Sequence, residues 1–205
     1  MQAELFAATT TQPEGLRYER EFLTRDEEGA LVAAIAALDL QPARYKDYVA
    51  RRRIASFGRA YDFVVNRLGD APPLPDFLLA VRDRVARWSA MPAESYVQAL
   101  LTAYEPGTPI GWHRDAPDFE TIVGISLASA CRLRLRPWPH VPHDAAPTLE
   151  LALEPRSIYC LAGPARWAWQ HHIPPTPHLR YSITLRTLST RKIRRNAEQR
   201  HPRTL

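Results

Sequence analysis

A histidine and an aspartate stand two places apart, at His113 and Asp115, in the stretch YEPGTPIGWHRDAPDF (residues 104–119). On an extended strand residues i and i+2 face the same way, so this imidazole and this carboxylate converge on one point. Together they supply two members of a 2-His-1-carboxylate set around a divalent cation. Such a set leaves three coordination positions open, which a non-haem iron oxygenase needs for its co-substrate and dioxygen. A His-x-Asp pair also arises by chance in a chain with seven histidines. The reading therefore requires a second histidine and a group to hold the co-substrate.

Residues 166–186, RWAWQHHIPPTPHLRYSITLR, offer both. Read as a strand, this segment puts Trp167, Trp169, His171 and Ile173 on one face and Gln170 and His172 on the other. His171, among apolar neighbours, is the preferred third ligand, with His172 second; His178 follows two prolines and falls in a loop. Arg180 and Arg186 lie six apart on the last strand. Arginine is so abundant here that the spacing says nothing, but their apolar flanks do. A buried guanidinium needs an anion. A dicarboxylate co-substrate supplies one that it can grip in a two-pronged fork. The alternative is an ion pair within the protein, with Glu150 or Glu154 as partner.

Helices and short strands must carry these groups. Thr24 to Glu27, TRDE, reads as a capping box, and Leu31, Ile35 and Leu38 recur at helical spacing behind it. A second helix is predicted over Asp76–Ser89, with Leu78, Val81, Val85 and Trp88 on one face. After Met91 the pattern changes to short alternating or β-branched runs broken by Pro, Gly and Asp, which point to a sandwich or barrel. The predicted layout is a helical first part bracing an all-β second part.

Composition narrows the class. The 205 residues suit one domain, and 45% apolar with 24% charged residues suits a globular chain. Cys131 and Cys160 make no CxxC pair, so a reducing compartment is expected. No signal peptide and no membrane span is evident, and a cytoplasmic location is expected. Net charge is +5, concentrated in the tail from Arg186 and in ARRRIASFGRAY. Such patches attract phosphate backbones.

Taken together, AYEPGTPIGWHRD, GISL, IYCLAGPARWAWQHHIPP and LRYSITLR resemble the AlkB family of iron(II)- and 2-oxoglutarate-dependent dioxygenases. The resemblance implies a double-stranded β-helix (jelly roll), mainly β with flanking helices (α+β). It implies one domain over 1–205. Helices and a nucleotide-recognition lid would occupy 1–95, the jelly-roll core 96–190 and a basic tail 191–205. It implies Fe(II) on His113, Asp115 and His171, with Tyr104, Arg180 and Arg186 holding 2-oxoglutarate. Thr102 and Ser182 stand where the family often has asparagine; both can still hydrogen-bond. His172 replaces a residue that is usually small. Arg52, Phe57 and Tyr61 would belong to the lid, and Trp112 and Asp118 are further candidate substrate contacts. The implied activity is oxidative demethylation of N-alkylated bases in DNA or RNA, consuming O2, by a monomer that binds single strands. Alternatives are the same chemistry on a tRNA base, a protein side chain or a small molecule. A third reading is a non-enzymatic nucleic-acid-binding jelly roll.

Overall fold

The computed structural model describes residues 12–45, 48–140 and 148–190. The tail from residue 191, read above as a nucleic-acid-binding arm, lies outside them. The chain runs through β1 (Leu16–Glu19), α1 (Arg25–Ala36), β2 (Gln41–Tyr45), β3 (Tyr48–Phe57), β4 (Arg59–Asp62) and β5 (Arg67–Asp70). Next come α2 (Asp76–Ser89), β6 (Tyr96–Tyr104), β7 (Ile110–His113), β8 (Phe119–Leu127), β9 (Cys131–Pro137) and β10 (Leu149–Leu153). It closes with β11 (Ile158–Leu161), α3 (Gly163–Trp167), β12 (Trp169–Ile173) and β13 (Arg180–Leu188). Seven strands form one sheet in the order β1-β11-β8-β13-β6-β3-β2, and four form another in the order β10-β9-β12-β7. Hairpin β4–β5 stands apart from both. Crossovers between two antiparallel sheets make this a jelly roll.

Both predicted helices form. Thr24 Oγ1 accepts from the Glu27 backbone N–H at 3.2 Å, and the Glu27 carboxylate accepts from the Thr24 N–H at 2.7 Å. This reciprocal pair satisfies two of the donors that a helix start leaves open. Leu31 and Ile35 of α1 and Leu78, Val81 and Val85 of α2 pack on one face of the larger sheet, against Leu101, Val123, Ile125 and Ile183. The opposite face meets the smaller sheet through a second core that includes Ile122, Leu133, Leu135, Leu161 and Ile173. Each fully buried aliphatic side chain contributes about 1.5–3 kcal/mol.

Strand alternation then sorts the residues of the larger sheet. On β13, Tyr181, Ile183 and Leu185 face the helices; on β6, Ala99, Leu101 and Ala103 do the same. The intervening residues turn towards the smaller sheet, and pairing sets them side by side: Arg180 with Tyr104, Ser182 with Thr102, Thr184 with Leu100, Arg186 with Gln98. A polar floor is thereby laid across two central strands.

The strands depart from the sequence reading at three places. Residues before 96 contribute β1, β2 and β3 to the larger sheet as well as helices. Trp167 ends α3, so the strand carrying His171 begins only at Trp169; Pro164 fits the first helical turn and starts a helix where alternation suggested a strand. β7 ends at His113, so Asp115 lies in the connection beyond it. Its convergence with His113 is therefore the work of that connection and its anchors, not of strand geometry.

A candidate metal centre and its cavity

His113 and His171 are direct cross-strand partners in the β7–β12 pair. Residues opposite one another in an antiparallel pair hold their side chains within a few ångströms on one face, and the two ring centroids are 4.2 Å apart. Asp115 completes the group: one ligand atom from each of the three residues lies within 4.8 Å of the others. Glu105, Pro106, Gly107 and Thr108 form the turn that launches β7. Thr108 N–H donates to the Glu105 carbonyl at 3.0 Å, and Gly107 has φ +79°, the left-handed conformation a type II turn requires after proline.

The donor set suits a divalent metal. His113 Nδ1 lies 2.8 Å from the Gly111 carbonyl, which can only accept, so Nδ1 carries the proton and Nε2 is bare. His171 Nε2 stands 3.6 Å from Asp115 Oδ2, too far for a hydrogen bond. Burial, then the neighbouring His113, pushes His171 down to about 3, so the contact joins a neutral ring to a carboxylate and is no ion pair. Burial likewise lowers His113. Burial alone would raise Asp115, but Arg186, the two imidazoles and Arg166 outweigh it and hold the carboxyl far below its ordinary range. Asp115 Oδ2 is buried with no hydrogen-bond partner, as an oxygen reserved for a cation would be.

Two arginines that could hold a diacid sit differently. Arg186 donates to Asp115 Oδ1 from Nε (3.0 Å) and Nη2 (2.6 Å), and from Nη1 to Gln98 Oε1 (2.9 Å). Its carboxylate partner is thus Asp115. Glu150, offered above as an alternative partner, instead receives Arg132 and Arg134. Arg180 is 1% exposed, lies 4.9 Å from the Tyr104 ring centroid, and donates Nε to Ser126 Oγ at 3.1 Å. Its Nη1 is buried without a partner.

A cavity of about 330 Å³ surrounds the three ligand-type residues. Thr102 and Tyr104 are buried in its lining, and Arg52, Tyr61, Trp112 and Arg186 are half-buried there. Arg180 and Ser182 are buried beside Tyr104 and Thr102, their partners across the β13–β6 ladder. Four other residues named from sequence belong elsewhere. Phe57 packs on the helix-side core, because on β3 Arg52, Ile54 and Ser56 take the cavity side and alternation sends Phe57 the other way. Asp118 is buried outside the cavity wall. His172 turns to the other face of its strand from His171 and stacks on Trp112 at 5.0 Å, so that His171 is the one grouped with His113 and Asp115. His178 lies in the loop before β13.

Arg166 and Gln98 carry structure that sequence reasoning missed. Arg166 is 3% exposed. Its Nη2 donates to the carbonyls of Asp115 (3.1 Å), Ala116 (2.8 Å) and Phe119 (3.0 Å). It thus ties the segment before His171 to the connection carrying Asp115. Nothing in GPARW distinguishes this arginine from a surface one; only its place five residues before the histidine hints at it.

Comparison with known proteins agrees with this geometry. Residues 15–191 match the family described as the 2OG-Fe(II) oxygenase superfamily. An Arabidopsis thaliana protein named "Alkylated DNA repair protein ALKBH8 homolog" is 29% identical over 186 residues, covering 78% of this chain and 51% of that protein. Uncharacterized protein L905 of Acanthamoeba polyphaga mimivirus is 27% identical over 110 residues, 47% of this chain and 50% of its own length. The chain thus spans about half the length of these curated relatives. Among solved structures, that of OsALKBH1 has a TM-score of 0.65 at 15% identity, covering 86% of this chain and 99% of that one. A Pseudomonas putida prolyl-4-hydroxylase has a TM-score of 0.59 at 15% identity, covering 85% and 92%. At such identities the structures speak for the fold alone. With the family match spanning nearly its whole described length, this chain belongs to the 2OG-Fe(II) oxygenase superfamily, dioxygenases that use Fe(II), 2-oxoglutarate and O2, and has AlkB-type relatives.

Proposed function

We propose that the chain oxidatively dealkylates N-alkylated bases of DNA or RNA. The observation that carries this reading is the cavity lining, where the half-buried Arg52, Tyr61 and Trp112 accompany His113, Asp115 and His171. Aromatic faces stack on a base, and a guanidinium attracts its phosphate. The relative named for alkylated DNA repair supports the same substrate class.

In this reading His113 Nε2, Asp115 Oδ2 and His171 hold the iron. Bound iron would supply the oxidative chemistry: one atom of O2 would enter succinate as 2-oxoglutarate loses CO2, and the other would hydroxylate the N-alkyl carbon, which then leaves as an aldehyde. The chain's own residues do the rest. Arg186 fixes Asp115 through Oδ1 and leaves Oδ2 free. Tyr104 and Arg180 hold 2-oxoglutarate, with Arg180 Nη1 the donor awaiting an anion. Thr102 and Ser182, side by side on the polar floor, hydrogen-bond around it. Tyr159 lines the cavity and packs its ring over Gly124, where a β-carbon would come within 2.4 Å of it. Walling off water strengthens each of these charge contacts.

The test is incubation of the protein with Fe(II), 2-oxoglutarate and a panel of methylated oligonucleotides. Formaldehyde and the restored base should appear together, in equal amounts. Co-substrate decarboxylation with no restored base on any oligonucleotide, but turnover of a peptide or small molecule, would overturn the nucleic-acid reading.

A further inference from the structure

The cavity opens into a second cleft of about 440 Å³, with Trp112, Arg114 and Asp115 in both walls. Trp138 lines it, as does Phe63 at the turn of hairpin β4–β5, which also lines the first cavity. Trp138 is held by its backbone: its N–H donates to the Ala168 carbonyl at 2.8 Å, while the residue stays 45% exposed. Arg114, the residue between two of the ligand positions, lays its guanidinium over that indole at 4.8 Å and anchors Nη1 on the Trp167 carbonyl at 3.1 Å. Nearby, Arg136 covers the Trp112 ring at 4.1 Å.

Charge in this cleft has one sign to spare. Among the described residues its wall carries a single carboxylate, Asp115, which Arg186 already engages. Arg114 and Arg166 leave the balance positive, and the buried Arg166 Nε in that wall has no partner. Planar apolar faces beside unmatched guanidinium groups suit a ligand that is both aromatic and anionic. A polymer that delivers one base to the cavity must also run out of it, and this cleft shares lining residues with the cavity.

We propose that the second cleft seats the nucleotide next to the target in a single strand, its base against Trp138 and its phosphate beside Arg114. This rests on the nucleic-acid reading above and adds a requirement to it: the target needs a neighbour on its own strand. A paired neighbour, stacked inside a duplex, could not reach Trp138.

The experiment uses the full chain and a length series of one methylated base: mononucleoside, dinucleotide and pentanucleotide. KM for repair is measured, together with anisotropy of a labelled, unmethylated pentanucleotide. KM should fall at least tenfold from mononucleoside to pentanucleotide. Trp138→Ala should weaken pentanucleotide binding about 5- to 150-fold, the worth of one base–indole stack, with Trp138→Phe restoring much of it. Arg114→Gln should reduce the slope of log affinity against log salt by about 0.7. A KM that does not change with length, or pentanucleotide binding untouched by both Trp138→Ala and Arg114→Gln, would overturn the cleft assignment and leave dealkylation standing. No repair or binding of any oligonucleotide by the unsubstituted chain would remove both.

Discussion

Asp115 divides its two oxygens between two tasks, and that division gives the sharpest expectations. Oδ1 takes the Arg186 fork; Oδ2 is buried and bare. Asp115→Ala should abolish Fe(II)-dependent decarboxylation of 2-oxoglutarate, with far-UV dichroism preserved; normal turnover would refute the metal centre. Arg166 acts on the same carboxylate from behind, through the backbone carbonyl of Asp115. Arg166→Met should weaken Fe(II) binding about 10- to 100-fold, the usual cost of losing a group that orients a metal ligand. Anaerobic titration calorimetry measures this directly, and Arg166→Lys, which keeps the charge but not the reach of Nη2 to three carbonyls, should fall between. Arg180→Met should raise the KM for 2-oxoglutarate about 30-fold or more, as expected when one partner of a buried charge pair is removed, with affinity for Fe(II) little changed. An unaltered KM would show that the Arg180 Nη1 serves another anion.

At the scale of elements, the caps and packing faces decide stability. Thr24→Ala removes one half of the box on α1 and should cost about 1 kcal/mol in urea unfolding, with catalysis per folded molecule unchanged. Both helices were legible because their signals are local: a cap and a 3.6-residue apolar period. The strands β2 and β3 were not, since QPARY and YVARRRIASF carry too much charge to alternate cleanly. They form because β6 and its neighbours offer pairing partners, an effect invisible in a single sequence. RWAWQHHI misled in the opposite way: its aromatic residues alternate, yet Gly163 and Pro164 turn the first part into α3. His171 was still found, because the strand period holds from Trp169 onward. His113 and Asp115 were legible as types, whereas their convergence depends on Arg166, whose three carbonyl partners lie 47 to 51 residues away.

Across the whole molecule, the burial of two imidazoles couples the site to folding. His171, at about 3, and His113 lie below the ordinary 6.5. The unfolded chain takes up protons as pH falls through 6.5, while the metal-free folded chain keeps both rings neutral to lower pH. The contribution of these two rings to stability is therefore fully present above 6.5 and declines below it, by up to about 1.4 kcal/mol per pH unit for each imidazole. Urea denaturation of chelator-treated protein at pH 7 and pH 5 measures the decline, and His171→Gln should make it shallower. Added Fe(II) should raise the melting temperature only while both rings are available.

The architecture also divides labour by parity. From Gln98 to Tyr104 on β6 and from Arg180 to Arg186 on β13, odd-numbered residues pack on the helix side and even-numbered ones line the floor. One inserted residue between Arg180 and Arg186 would exchange the two sets, burying arginine among aliphatics and turning isoleucine towards the metal. The chain can vary what it writes at these positions far more freely than how many positions there are.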